Sequence, residues 1–288
     1  MNEHARHDIT KKRVVYEVPG ADAVMVRRDI EFRAADGGVL TMDLYDPAES
    51  KSEAHAVIVV AGYPDPGFER ILGCTFKEMA SSISWGRLIA ASGIVAITCT
   101  NREPAGDLDA LLEHVRHNAA ALGIDENRIG LWASSGNVPL ALSVLMRGGR
   151  ESLKCAVLCY GYMLDVDGAT AVADAARTAG FVNPCAGKSV DDLSPRVPLF
   201  IARAGQDQMP GLNETLDRFV VRALSRDLPL TLINHAGAPH AFDLFHDSET
   251  SRQIIRRILG FLQLHLGVAP IITPHESGGT RLARAAAD

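Results

Sequence analysis

The sequence predicts an α/β protein, a mostly parallel sheet of about eight strands with helices on both faces. Short β-branched or apolar runs alternate with longer segments of helical period along most of the chain. The short runs are nearly free of charge, as strands buried on both faces are. The rhythm continues from residue 24 to residue 267 without a break rich in Pro, Gly and Ser. One domain is therefore expected (24–267), between an N-terminal tail (1–23) and a C-terminal tail (268–288).

An antiparallel hairpin opens the domain at residues 24–32 and 39–45. Its turn is Asp36-Gly37-Gly38, where glycine tolerates positive φ, and Pro47 ends it. Buried strands are expected at 56–61, 93–99, 129–133, 155–160, 198–203 and 229–234, and helices at 76–91, 107–122, 138–146, 213–225 and 250–266. In 107–122, Leu108, Leu111, Leu112, Val115, Ala119 and Leu122 form one apolar stripe; Asp107 or Asp109 suits its start and Gly123 its end. The stretch 161–196 departs from this pattern. It is long for a connection and alanine-rich at 169–179, then carries Phe181, Pro184 and Gly187, which makes it a candidate lid over a site.

Composition narrows the function. Of the 288 residues 47% are hydrophobic, which excludes a disordered or collagenous chain. With 29 Lys and Arg against 35 Asp and Glu the net charge is −6, so no nucleic-acid partner is expected, because a phosphate-backbone binder needs a basic face. The five cysteines (Cys74, Cys99, Cys155, Cys159, Cys185) form no C-x-x-C pair and read as free thiols in a reducing compartment. Residues 1–12 are polar, with no apolar stretch for a signal peptide or membrane span. A soluble cytoplasmic protein is expected, with no membrane partner.

The stretch richest in chemistry is Ile129-Gly130-Leu131-Trp132-Ala133-Ser134-Ser135-Gly136-Asn137-Val138, a strand running through small residues into a helix. Such a turn lifts a serine clear of the sheet, and it needs small residues two before and two after that serine. Ser135 meets this with Ala133, although Asn137 is large for the last position. Ser134 would put Trp132 where bulk is least tolerated. A serine hydroxyl becomes nucleophilic when an imidazole takes its proton and a carboxylate holds that imidazole. Asp207 lies on the loop after the strand 198–203, and His240 on the loop after 229–234. Parallel strands bring their C-terminal ends to one edge, so the three side chains can meet, in the chain order Ser, Asp, His.

Competing residues are fewer. Asp165 and Asp167, past the strand 155–160, are the alternatives to Asp207; His235 and His246 flank His240. His114 and His117 share a helix face without a third ligand, so no metal site is expected. Gly187-Lys188-Ser189 lacks the glycine and preceding strand that a phosphate loop requires.

Residues 132–136, 205–207 and 237–242 resemble the elbow, acid turn and histidine turn of the α/β-hydrolase superfamily, most like its dienelactone-hydrolase-like and small serine esterase members. Dienelactone hydrolase carries cysteine in the slot that Ser135 fills here. The resemblance implies an α/β-hydrolase fold and a serine hydrolase of carboxylic esters that needs no cofactor, with Ser135 as nucleophile, His240 as base and Asp207 as its orienting acid. It also implies an oxyanion hole made by the N–H groups of Gly136 and of Tyr63, the latter aligned through Gly62, with Ala61 where relatives carry histidine. Tyr63, Phe68, Met163, Phe181, Met209 and Phe242 lie in or beside the loops of the active edge and are expected to contact a small ester or lactone. The same machinery would serve a lactone or small-peptide hydrolase. A catalytically silent member would bind a ligand or partner protein instead.

Overall fold

A computed structural model describes residues 9–48, 53–148 and 151–269; residues 1–8 and 270–288 of the two expected tails lie outside the described residues. Eight strands form one sheet: β1 (Met25–Arg33), β2 (Val39–Asp46), β3 (Ala54–Val59), β4 (Val95–Cys99), β5 (Ile124–Ser134), β6 (Leu153–Cys159), β7 (Leu199–Ala204) and β8 (Leu230–His235). Their order is β1-β2-β4-β3-β5-β6-β7-β8. β2 pairs antiparallel with β1 and β4, and every other pairing is parallel. The helices are α1 (Asp65–Leu72), α2 (Ala80–Ala91), α3 (Pro104–His117), α4 (Ala119–Leu122), α5 (Val138–Leu145), α6 (Ala171–Ala179), α7 (Leu212–Ser225), α8 (Phe242–Phe245) and α9 (Glu249–Leu266).

Alternation along the strands builds two cores, because successive side chains leave opposite faces of a sheet. Ala56 and Ile58 of β3 pack with Leu131 of β5 against α3, α5 and α7 through Leu111, Leu140 and Phe219. Val57 and Val59 pack with Trp132 against α2 and α9 through Trp85, Ile89, Ile255 and Ile258. With both faces covered, the loops at the C-terminal edge of β3, β5, β6, β7 and β8 are where functional side chains gather.

The boundaries differ from expectation in instructive ways. β5 starts at Ile124, five residues before the expected 129, through Asp125-Glu126-Asn127-Arg128; its pairing with β3 shifts register there, and these polar residues lie at its exposed end. The helix expected at 107–122 is two helices, divided at Asn118 with φ −108° and ψ 13°. Pro64-Asp65-Pro66-Gly67, which reads as a turn, starts α1 with proline in its first turn, a position where the missing N–H costs no bond. Within 161–196, α6 fills the alanine-rich part.

Residues 9–23, grouped with the N-terminal tail on sequence, lie against α2 and α8. Val14 is buried, its N–H donating to Ser84 Oγ at 3.1 Å, and Val15 N–H donates to the Asp243 carbonyl at 2.8 Å. Cys99, Cys155, Cys159 and Cys185 are buried free thiols, while Cys74, just beyond α1, is half-exposed. Burial pushes Cys99, Cys155 and Cys185 up to about 12. Among the described residues, no helix is long and apolar enough to cross a membrane.

Candidate active site

β5 ends in extended backbone at Ser134 (φ −137°, ψ 152°), and the next residue reverses the chain: Ser135 has φ 54°, in the left-handed region. A short 3-10 turn (Ser135–Asn137) then leads into α5. A non-glycine residue held there stores about 1–2 kcal/mol, which the packed strand and helix on either side sustain. Ser135 Oγ lies 3.0 Å from His240 Nε2, and His240 Nδ1 lies 2.6 Å from Asp207 Oδ2. An ionised carboxylate only accepts, so the Nδ1 position carries the proton and Nε2 is left to accept from Ser135. The Asp207 side chain has 0% exposure, and Met209 N–H donates to its Oδ1 at 2.9 Å.

The acid and histidine turns rest on each other. Gly205 N–H donates to the His235 carbonyl at 2.9 Å, and Gln206 N–H to that of Ala238 at 2.8 Å. A Cβ on Gly205 would lie 2.4 Å from the Ala236 oxygen and 2.7 Å from its Cα, so glycine is required by close approach of backbone to backbone. Gly205→Ala is expected to destabilise the fold by about 1–3 kcal/mol. Thermal melts of the two proteins will read the difference.

Behind the histidine stands a buried polar group that sequence reading did not find. Tyr160, at φ 35°, sets its ring edge against His240 at 5.1 Å between centroids. Its hydroxyl donates to Asp243 Oδ1 at 2.6 Å, and Trp85 Nε1 donates to Asp243 Oδ2 at 2.8 Å. Burial pushes the Asp243 carboxyl above its ordinary range, against the pull of these two donors. Its position three residues past His240 was its one sequence signal. Asp243→Ala would leave both donors buried without an acceptor. It is expected to cost about 2–5 kcal/mol in urea unfolding.

Tyr63 and Gly136 are brought together. The Tyr63 hydroxyl sits where a Cβ on Gly136 would lie 2.4 Å from it, and such a Cβ would also lie 2.6 Å from the Phe181 ring. Burial pushes the Tyr63 hydroxyl up to about 12, which keeps it protonated. Its ring contacts Phe68 at 5.5 Å and Phe181 at 5.8 Å, and Phe181 stacks on Tyr162 at 5.4 Å. A cavity of about 440 Å³ opens on Ser135 and His240, walled by Tyr63, Phe68, Phe76, Trp85, Trp132 and Leu244. Trp85 and Trp132 meet at 4.6 Å.

Four expected contact residues, Met163, Phe181, Met209 and Phe242, do not line this cavity. Met163 is fully buried in the core layer of α3, α5 and α7, and Phe242 in the opposite layer beneath Tyr160. Met209 is 38% exposed on the outer side of the acid turn. Phe242 lies between the lining residues Ala241 and Asp243 and turns its side chain into the core, whereas Met209 has no lining residue near it in sequence. Phe181 stands behind Tyr63 as a wall of the wall. The alternative acids have other partners: Asp165 accepts the Val172 and Ala173 N–H groups that begin α6, and Asp167 pairs with Arg222. His235 and His246 both reach Ser251 Oγ at 3.2 Å near the start of α9.

No family model matches the sequence, and no curated protein matches it. Solved structures do match. The carboxylesterase EstE1, cloned from a metagenomic library, superposes with a TM-score of 0.65 at 16% identity, over 92% of this chain and 95% of its own. Esterase Est22 gives 0.64 at 15%, over 84% and 82%. A thermostable esterase from Pseudomonas putida ECU1011 gives 0.64 at 15%, over 87% and 85%. This chain has the α/β-hydrolase fold. In an α/β-hydrolase the strand-to-helix elbow after β5 and the loops after β7 and β8 share one edge. Ser135, Asp207 and His240 stand at those three places.

Proposed function

We propose that the protein hydrolyses carboxylic esters with Ser135 as nucleophile. The observation that carries this reading is the continuous chain from Ser135 Oγ through His240 to Asp207, opening on an apolar cavity. His240 Nε2 takes the Ser135 proton as Oγ attacks the acyl carbon, and Asp207 stabilises the imidazolium. Collapse of the tetrahedral adduct expels the alcohol, which leaves with that proton. Water then attacks the acyl-enzyme with His240 again as base, and the acid departs as Ser135 regains its hydrogen. The N–H groups of Gly136 and Tyr63 hold the oxyanion, where such donors are worth about 10²–10³ in rate.

The aromatic walls favour esters with a hydrocarbon or aryl group of modest size over charged substrates. A lactone would fit the same chemistry. The test is labelling with a fluorophosphonate followed by peptide mapping: modification is expected at Ser135, accompanied by hydrolysis of short p-nitrophenyl esters. A folded protein that takes no label would instead support a silent ligand-binding role. Turnover is expected to fall toward acid pH, because a protonated His240 accepts no proton. A pH–rate profile that stays flat into the acid range would contradict its role as base.

A further inference from the structure

Asn137 departs from the small residue that the elbow pattern carries, and its side chain is 3% exposed. Its Oδ1 accepts the Gly62 N–H at 2.7 Å, a bond spanning 75 residues of chain. Only the amide oxygen can accept from an N–H, so the orientation of the side chain is determined. The Gly62 carbonyl, in turn, accepts from Val182 N–H at 2.9 Å. A Cβ on Gly62 would lie 3.0 Å from Asn137 Cα and 3.1 Å from the Gly136 oxygen, so the turn after β3 rests directly on the elbow. Both backbone polar groups of Gly62 are thereby engaged, one by the elbow and the other by the 161–196 excursion.

The Gly62 carbonyl and the Tyr63 N–H belong to one peptide plane and point in opposite directions across it. Holding the carbonyl on Val182 therefore aims the Tyr63 N–H the other way. That N–H donates to no group among the described residues and is available to a substrate oxygen. Without Asn137, the Gly62 N–H would be buried unpaired, a loss that rotation of the turn relieves at the expense of that aim. We infer that Asn137 is a positioning residue which, with Val182 N–H, sets the Tyr63 N–H as an oxyanion donor. The inference rests on the ester-hydrolase reading.

The experiment compares wild type with Asn137→Ala and Asn137→Gly, the latter being the residue of the elbow pattern and so the variant best suited to keep the fold. Active sites are first counted by fluorophosphonate titration, so that rates refer to reactive serine. Per labelled site, kcat is expected to fall about 10–100-fold with KM within about twofold. The inhibition constant of an alkyl trifluoromethyl ketone, which binds as an oxyanion adduct on the serine, should rise in parallel with the loss in kcat/KM. A variant that melts lower but keeps kcat and ketone affinity per labelled site would overturn the positioning role and leave the hydrolase reading intact. A wild type that neither labels nor turns over ester would overturn both.

Discussion

Ser135→Ala is expected to keep the wild-type fold and to lose about 10⁶-fold in kcat on p-nitrophenyl esters, because the proposed acyl-enzyme route disappears with its nucleophile. Circular dichroism and labelling with the fluorophosphonate check the two halves of this statement. The left-handed backbone at Ser135 adds a second, independent expectation. Alanine keeps the Cβ and the strain, whereas Ser135→Gly removes both. The glycine variant should be equally inactive and about 1 kcal/mol more stable than the alanine variant. Equal melting of the two would show that the strain at the elbow is no larger than the entropy glycine adds to the unfolded chain.

Asp207→Asn is expected to lower kcat by about 10⁴-fold with little change in KM. An amide presented to His240 Nδ1 can offer its N–H₂ group, which favours the imidazole tautomer with its proton on Nε2. That tautomer cannot take the Ser135 proton. The carboxylate is buried and held on its other oxygen by Met209 N–H, so neither water nor a neighbouring side chain restores the charge. Loss of less than about tenfold would move the orienting role elsewhere, and Asp243, held by Tyr160 in the wall behind His240, is the carboxylate to examine.

The topology was legible because apolar runs and helical stripes alternate so regularly, and the three turns because each carries glycine or other small residues beside a chemical side chain. Gly205 illustrates this: the spacing Gly205-Gln206-Asp207 is visible in sequence, and its cause is contact with Ala236. The contacts of Asn137 and Asp243 were not legible. Each depends on partners far along the chain, Gly62 for one and Trp85 with Tyr160 for the other, and a polar residue in isolation carries no sign of what it will meet. Met163 and Phe242 were assigned to the cavity by proximity in sequence, but adjacent residues of a turn send their side chains to opposite layers. The early start of β5 was hidden by Asp125-Glu126-Asn127-Arg128, four polar residues between the paired Ile124 and Ile129.

The thiol inventory makes the protein addressable by chemistry without mutation. Of five cysteines, four are buried and Cys74 is half-exposed, between Leu72 and Phe76 of the cavity rim. A maleimide dye applied to the folded protein should therefore couple at one position, beside the mouth through which an ester would enter. Its emission would report occupancy of the cavity in real time, in the unmodified sequence and in each inactive variant alike.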